Sequence, residues 1–438
     1  MAENLLVGVI SLGCDKNRVD TEKALAVLKL KHRLTADIER AQVVLINTCA
    51  FLESSRKEAV DEILQVAQLK ECGALEKIIV SGCLPQKFCD EIFDALPEVD
   101  AFMGVSDYGE INAVIDRIYD GERVKLVGEP RGECGIERVQ TTKDYAYLKI
   151  ADGCSNHCTY CLIPKIRGKY RSVPLDSLIE ETKLLGEVKE LILVAQDLTR
   201  YGQDFGDGTN LLTLIRALSN LKTVKGIRLL YCYPEGVTDE LIHEFATNPK
   251  MIRYIDVPFQ HASDRILKLM NRRGSFDEYL ALVEKLKSRV SGIAVRSTFI
   301  AGFPGETEED FEKLKEFLLR AKLFNAGFFA YSREEQTPSD KLGGHLPKKV
   351  RTARQKKLYT VQKKVVRENY AEMIGKSFAV TVEGFDTDEL VYYGRAYFFA
   401  PEIDGKIKFF AKEETNVGDV VNVKILKAFG YELYGERQ

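Results

Sequence analysis

The sequence predicts an α/β protein in three parts: an N-terminal parallel α/β domain, a partial six-strand (βα)6 barrel of the TIM type, and a small C-terminal antiparallel β-barrel of the oligonucleotide-binding kind. Three observations predict it. Short β-branched runs alternate with helical patterns up to about residue 135, a second such series starts at Tyr145, and after Gly375 helical spacing gives way to short strands punctuated by Gly and Asp.

In the first part, Val7 to Ser11, Val43 to Ile46 and Ile78 to Val80 read as strands. Asp20 to Lys31 and Ser54 to Glu71 read as helices, the second with Ala59, Ile63, Val66 and Ala67 at helical spacing. Strand, helix, strand means a parallel sheet, which delivers all its C-terminal strand ends to one edge, and that edge is where such sheets bind ligands. Cys14, Cys49 and Cys83 each follow one of these strands, and their separations of 34 and 33 intervening residues are each about one strand-helix unit. Topology alone can therefore gather them.

Glu129 to Gln140 is polar, contains glycine, and reads as a linker. Beyond it the expected strands are Tyr145 to Ile150, Leu191 to Val194, Ile227 to Leu230, Tyr254 to Val257, Ala294 to Ile300 and Gly327 to Tyr331. In a barrel of this kind the functional groups belong on the loops after the strands. Lys341 to Lys376 is a connector with eleven Lys or Arg against Glu368 and Glu372, net +9, helical over 350–370. The expected strands of the last part are Phe378 to Glu383, Leu390 to Tyr397, Ile407 to Phe410 and Val420 to Leu426. From Ser377 to Gln438 the balance is seven basic to eleven acidic side chains, net −4. Domain limits at 1–135, 136–374 and 375–438 follow.

Hydrophobic residues at 45% and a net charge of −3 over 438 residues exclude a disordered chain and a bulk polyanion binder. The longest apolar runs, such as Leu5 to Ile10, fall far below the roughly 18 residues that span a bilayer, so no membrane association is expected. The Leu-Gly-Cys14 sequence imitates a lipoprotein signal, but the run is too short and Glu3 stands where a basic residue belongs. Ten cysteines without an export signal indicate a reducing cytoplasm, where clustered thiols serve metals or catalysis rather than disulfides.

Ala-Asp-Gly-Cys154-Ser-Asn-His157-Cys158-Thr-Tyr-Cys161 places three thiols within eight residues. Three readings fit: structural zinc with His157 as fourth ligand, unligated buried thiols, or an iron–sulfur cluster held by three cysteines with one iron open to a small molecule. The zinc set suffers from adjacent ligands that are awkward to place tetrahedrally.

The Cys-x-x-x-Cys-x-x-Cys spacing at 154, 158 and 161 is similar to that of radical S-adenosylmethionine enzymes, whose open iron binds the amino and carboxylate groups of the cofactor. Ile-Pro-Lys-Ile-Arg167-Gly168-Lys-Tyr-Arg171-Ser172, Asp256-Val-Pro258-Phe-Gln260-His261, Met270-Asn-Arg-Arg273, Gly302-Phe-Pro-Gly305-Glu306-Thr and Tyr331-Ser-Arg333-Glu334 resemble the methylthiotransferase branch over essentially the whole chain, including a C-terminal TRAM domain. The resemblance implies two [4Fe-4S] clusters and S-adenosyl-L-methionine, with the second cluster on Cys14, Cys49 and Cys83. It implies reductive cleavage of S-adenosylmethionine to a 5′-deoxyadenosyl radical, hydrogen abstraction from an unactivated C–H bond, and delivery of a methylthio group to the carbon. It also implies an electron donor such as flavodoxin or ferredoxin and a sulfur donor.

Cofactor-binding candidates are Gln196, at the end of the second barrel strand, Arg296 and Thr298, which share one face of a strand, and the Gly302, Gly305, Glu306 turn, for which the resemblance implies contact with the adenosine portion. Each has a plain structural alternative: a solvated rim for the strand pair, an ordinary strand-to-helix turn for the glycines. Asp197 follows Gln196, and His261 reads as a satisfied structural histidine. Cys72, Cys89, Cys134 and Cys232 read as ordinary thiols, with Cys89, six residues after Cys83, the best substitute ligand.

Ser11-Leu-Gly-Cys14-Asp-Lys16-Asn17 resembles the branch that modifies the β-carbon of an aspartate in small-subunit ribosomal protein S twelve, with Asp15 where that branch usually has proline. A transfer-RNA adenosine methylthiotransferase is the runner-up, and a zinc-stabilised RNA-binding adaptor the alternative of another class. An RNA-binding barrel should be basic; a barrel of net −4 suits a basic ribosomal protein better.

Overall fold

The computed structural model describes residues 4–131 and 135–438, which form two compact units, one drawn from the chain up to Thr223 together with Glu334–Thr337, the other from Val224–Arg333 with Pro338–Gln438. Cys134 lies outside the described residues.

The first unit opens with β1 (Leu6–Ser11), α1 (Asp15–Lys29), β2 (Arg33–Thr35), β3 (Val43–Thr48), α2 (Glu53–Glu71), β4 (Lys77–Gly82), α3 (Cys83–Ala95), β5 (Ala101–Met103), α4 (Ile111–Tyr119) and β6 (Val124–Leu126). All six strands are parallel, in the order β2-β1-β3-β4-β5-β6. Every residue of β3 is buried, which is the mark of a strand covered on both faces. Alternate residues supply two cores: Val44 and Ile46 pack with Ala59, Ile63 and Val66 of α2 on one side, and Val43 and Leu45 pack with Ala24 and Leu28 of α1 on the other. The short strands β2, β5 and β6 went unmarked in the sequence because three residues are too few to show a period.

The same unit continues with β7 (Tyr145–Lys149), β8 (Ala151–Asp152), α5 (Ile163–Ile166), β9 (Arg171–Ser172), α6 (Leu175–Leu184), β10 (Glu190–Val194) and α7 (Leu211–Ser219). β7 and β10 pair in parallel, and β8 and β9 form a small antiparallel ribbon that brackets the loop carrying Cys154, Cys158 and Cys161.

The second unit contains β11 (Ile227–Leu229), α8 (Asp239–Thr247), β12 (Met251–Asp256), α9 (Asp264–Leu269), α10 (Phe276–Arg289), β13 (Ala294–Ala301), α11 (Glu308–Ala321) and β14 (Asn325–Ala330), with the four strands parallel and in sequence order. Two parallel strands in the first unit and four in the second match the six expected barrel strands. The connector is a single helix, α12 (Lys348–Ala371), whose Leu358, Val365, Val366 and Tyr370 are buried.

Then β15 (Ser377–Asp386), β16 (Val391–Arg395), β17 (Ile407–Phe410), β18 (Val420–Phe429) and β19 (Glu432–Arg437) close into a barrel, β15-β16-β17-β19-β18. β19 was not read from the sequence: Glu-Leu-Tyr-Gly-Glu-Arg carries one fully buried apolar residue, Leu433, and Gly435 sits where a Cβ would strike the Lys424 carbonyl at 2.4 Å.

Candidate functional site

The parallel sheet of the first unit builds the first thiol triad. β1, β3 and β4 are neighbours, so the loops leaving their C-terminal ends are neighbours too. Cys14 stands at the N-cap of α1, Cys49 directly follows β3, and Cys83 is the first residue of α3. Asn17 ties the loops together, its amide nitrogen donating to the carbonyls of Leu12 and Thr48 at 3.1 and 3.0 Å. Its side-chain oxygen meets the Cys14 sulfur at 4.0 Å and the Cys83 sulfur at 3.8 Å, so the two thiols share one partner. Two glycines make the close approach possible. Gly13 (φ +92°) has no room for a Cβ, which would lie 2.6 Å from Cys49 Cβ, and at Gly82 (φ +95°) a Cβ would lie 2.2 Å from Asn47 Oδ1.

Burial governs the protonation of Cys49 and Cys83. It pushes Cys83 up to about 12, against the opposing pull of the Arg167 guanidinium, and it raises Cys49, with Cys14 adding to the rise. Without a metal the Cys49 and Cys83 sulfurs are neutral. A metal that binds them must expel their protons.

The second triad lies on the loop after β8. Gly153 (φ +77°) lets the chain pass the Lys169 carbonyl, which a Cβ would strike at 2.1 Å. The Cys154 N–H then donates to the Gly168 carbonyl at 3.1 Å, the Cys161 N–H to the Cys158 carbonyl at 3.1 Å, and the Ile163 N–H to the Cys161 sulfur at 3.4 Å. Asn156 anchors the loop on Asp197 at 2.7 Å. Burial pushes the Cys154 thiol up to about 11. Among the described residues no three His, Cys, Asp or Glu side chains close around a single ion.

A buried charge network lies against the first thiol set, and nothing in the sequence pattern marks it. Arg167 donates to Asp152 Oδ2 at 3.0 Å, Asp20 Oδ2 at 2.9 Å, Asn17 Oδ1 at 2.7 Å and the Cys83 sulfur at 3.7 Å. Lys149 pairs with Asp20 and, at 3.5 Å, with Asp152. All four charged side chains are buried. Burial alone would raise the Asp152 carboxyl, but Arg167 and Lys149 outweigh it and hold the group well below the usual carboxylate range. The backbone of the next residue, Gly168, is what holds Cys154, so Arg167 and its neighbour touch both thiol sets. Two acids and two bases inside a core are costly unless they balance. Asp20 within α1, Lys149 at the end of β7 and Arg167 just after α5 are far apart in sequence, and pairing them needs the fold.

Gln196, just past β10, donates its amide N–H to Asp152 Oδ1 at 3.0 Å, while its Oε1 is buried without a hydrogen-bond partner. An unmatched buried acceptor beside the cysteine loop is suited to a cationic or N–H donor. Other expected cofactor contacts turn inward instead. Arg296 is committed to Asp256 at 2.8 Å and lies 3.6 Å from Asp404, and its remaining contact is Thr298 Oγ1 at 3.3 Å. Glu306 accepts from the Gly302 N–H at 2.8 Å, from His261 Nε2 at 3.2 Å and from Arg354 at 2.5 Å, so its carboxylate is used within the second unit. His261 Nδ1 accepts from the Ser263 N–H at 2.9 Å, which makes it the satisfied structural histidine expected. Gly302 (φ +75°) is required by local packing, since a Cβ would meet Arg351 at 2.5 Å, while Gly305 (φ +79°) faces open space out to 3.9 Å.

Of the remaining thiols, Cys89 is buried in the α3 core, Cys232 is buried in the second unit and Cys72 is exposed.

The sequence matches the radical SAM superfamily over residues 148–318, the uncharacterized protein family UPF0004 over 6–104, and the TRAM domain over 374–437. It is 45% identical over 436 residues to ribosomal protein uS12 methylthiotransferase RimO of Caldanaerobacter subterraneus, covering 98% of this chain and 99% of that one. The same-named proteins of Lachnoclostridium phytofermentans and Clostridium botulinum are 44% and 42% identical, over 97% and 98% of this chain and 98% and 97% of theirs. The chain belongs to the RimO family of radical S-adenosylmethionine methylthiotransferases. Solved structures add likeness of fold: the radical S-adenosylmethionine methyltransferase TsrM of Kitasatospora setae has a TM-score of 0.57 at 14% identity over 77% of each chain. The cobalamin-dependent S-adenosylmethionine radical enzyme OxsB has 0.53 at 12%, over 82% of this chain and 58% of its own. RimO relatives match along the whole length, so the three parts read from sequence belong to one enzyme.

Proposed function

We propose that this protein transfers a methylthio group to the β-carbon of an aspartate in ribosomal protein uS12, using S-adenosyl-L-methionine and two [4Fe-4S] clusters. The observation that supports the reading is the placement of Cys14, Cys49 and Cys83 at neighbouring strand ends and of Cys154, Cys158 and Cys161 on one loop, in a chain 41–45% identical to uS12 methylthiotransferases over nearly its full length. Cys154, Cys158 and Cys161 would hold one cluster and Cys14, Cys49 and Cys83 the other, each leaving an iron open. When bound, the clusters supply the electron that opens S-adenosylmethionine and the site that carries the methylthio sulfur.

The chain's own work is positional. The thiolates hold iron and are not nucleophiles. Gln196 Oε1, buried without a hydrogen-bond partner, would accept from the cofactor's amino group, and Asp152 fixes that amide in orientation. Gln196→Ala is expected to weaken S-adenosylmethionine binding about tenfold, or about 1.4 kcal/mol, with iron content unchanged, as read by equilibrium dialysis on reconstituted protein. Parent-level affinity would remove Gln196 from the site.

An electron donor such as flavodoxin or ferredoxin and a sulfur donor complete the reaction. A cytoplasmic setting suits ten reduced cysteines, and among the described residues no helix is long and apolar enough to cross a membrane. Mass spectrometry of uS12 and of transfer RNA from cells lacking this gene tests the substrate: the methylthio-for-hydrogen exchange predicts loss of about 46 Da from uS12. Loss from transfer RNA with uS12 unchanged would replace uS12 by an adenosine derivative.

A further inference from the structure

We propose that the exposed face of α12 docks on the phosphate backbone of ribosomal RNA, so that the enzyme meets its ribosomal-protein substrate within the small subunit. This deepens the uS12 reading and rests on it.

Lys348, Lys349, Lys356, Lys357, Lys363, Lys364 and Arg367 are all exposed, and none makes an ion pair among the described residues. The lysine doublets recur at intervals of about two helical turns, so Lys349, Lys356, Lys363 and Arg367 fall along one face for about 27 Å. The opposite face is spent on packing, with Leu358, Gln362, Val365 and Tyr370 buried.

A solvated helix face ordinarily interleaves its charges, because like charges repel and opposite charges at i, i+4 stabilise. The other long helices of the same unit carry neutralised cations. On α11, Lys315 pairs with Glu312 and Arg320 with Glu316 along the helix; the α10 cations Lys285 and Arg289 both pair with Asp239 of α8. On α12 the only exposed acid is Glu368, at its far end and paired with Lys322. The adjoining barrel is net −4 and the whole chain −3, so the stripe is no echo of a basic protein. A linear row of unneutralised cations complements a linear row of phosphates, and binding releases counterions from the nucleic acid. A ribosomal protein lies on RNA, which provides that row beside the substrate.

The test compares the reconstituted parent with a variant carrying Lys356→Gln, Lys357→Gln, Lys363→Gln and Lys364→Gln together; glutamine and lysine have similar helix propensity. A second variant with arginine at the same four positions keeps the charge. Binding to purified small ribosomal subunits is measured against salt concentration, and methylthio transfer is measured on small subunits and on isolated uS12. We expect the glutamine variant to lose affinity for subunits about tenfold or more, with the log–log salt slope shallower by about 3, as for four lost phosphate contacts. The arginine variant should keep the parent slope, and transfer to isolated uS12 should stay within about twofold for both variants. Equal slopes for parent and glutamine variant would overturn the proposal. So would an equal loss of transfer on isolated uS12, which would assign the stripe to the protein substrate, or a parent that binds transfer RNA more tightly than subunits. If no form of uS12 were modified while the slope difference persisted, the substrate reading would fail and the RNA-docking face would stand.

Discussion

Cys154→Ala is expected to reduce S-adenosylmethionine cleavage by at least about 10³-fold, because two thiolates cannot hold a cubane. Among the described residues the next unused thiol after this loop, Cys232, is buried in the other unit. Iron per chain after anaerobic reconstitution should fall from roughly eight to roughly four. The informative partner is Cys49→Ala. It removes one of three ligands from the other triad, so cleavage of S-adenosylmethionine should persist while methylthio transfer is lost, with the same fall in iron. The two variants thus separate radical generation from sulfur delivery. Full transfer by Cys49→Ala would dissolve the strand-end triad as a working site. Cys89 does not rescue it, since its sulfur is buried within the α3 core.

Arg167→Met should cost about 3–5 kcal/mol, the usual loss when one member of a buried ionic network is removed and its partners stay behind. Asp152 and Asp20 would share only Lys149, and Cys83 would lose its cationic neighbour. Arg167→Lys keeps the charge but gives up the planar fork that reaches Asp152 from one nitrogen and Asp20, Asn17 and Cys83 from the other, so about half the loss should remain. Urea midpoints of iron-free protein measure this directly, without reference to activity. A parent-like midpoint for Arg167→Met would show that the network is idle. In the reconstituted protein the same variant should hold less iron, because the Asn17 oxygen shared by Cys14 and Cys83 is itself held by Arg167.

The fold was legible where periodicity runs long. β3, α2 and α12 stand within a few residues of the expected bounds, because burial on a fixed face writes itself into residue spacing. The strand-end placement of Cys14, Cys49 and Cys83 was legible for another reason: the connectivity of a parallel sheet brings positions about 34 residues apart to neighbouring strand ends, with no long-range information needed. What local sequence does not show is which partners the charged side chains take. Arg296 and Glu306 occupy suitable strand and turn positions, yet Asp404, more than a hundred residues away, and Arg354 meet them there. Nothing local announces such a partner. Arg167 was visible only as part of a motif, and its meaning depends on Asp20 of α1 and Asp152 of β8 meeting it.

Asp404, in the segment between β16 and β17, accepts from the Tyr254 hydroxyl at 2.7 Å and the Asn325 amide at 2.6 Å, besides lying near Arg296. The small barrel therefore supplies an acceptor to residues of β12 and β14. A chain cut short at Gly375 would leave a buried phenol, an amide and a guanidinium short of a partner, each omission costing about 1–3 kcal/mol. Loss of activity after such a deletion would report the collapse of parallel strands that had lost their floor, and would carry no information about how substrate is captured.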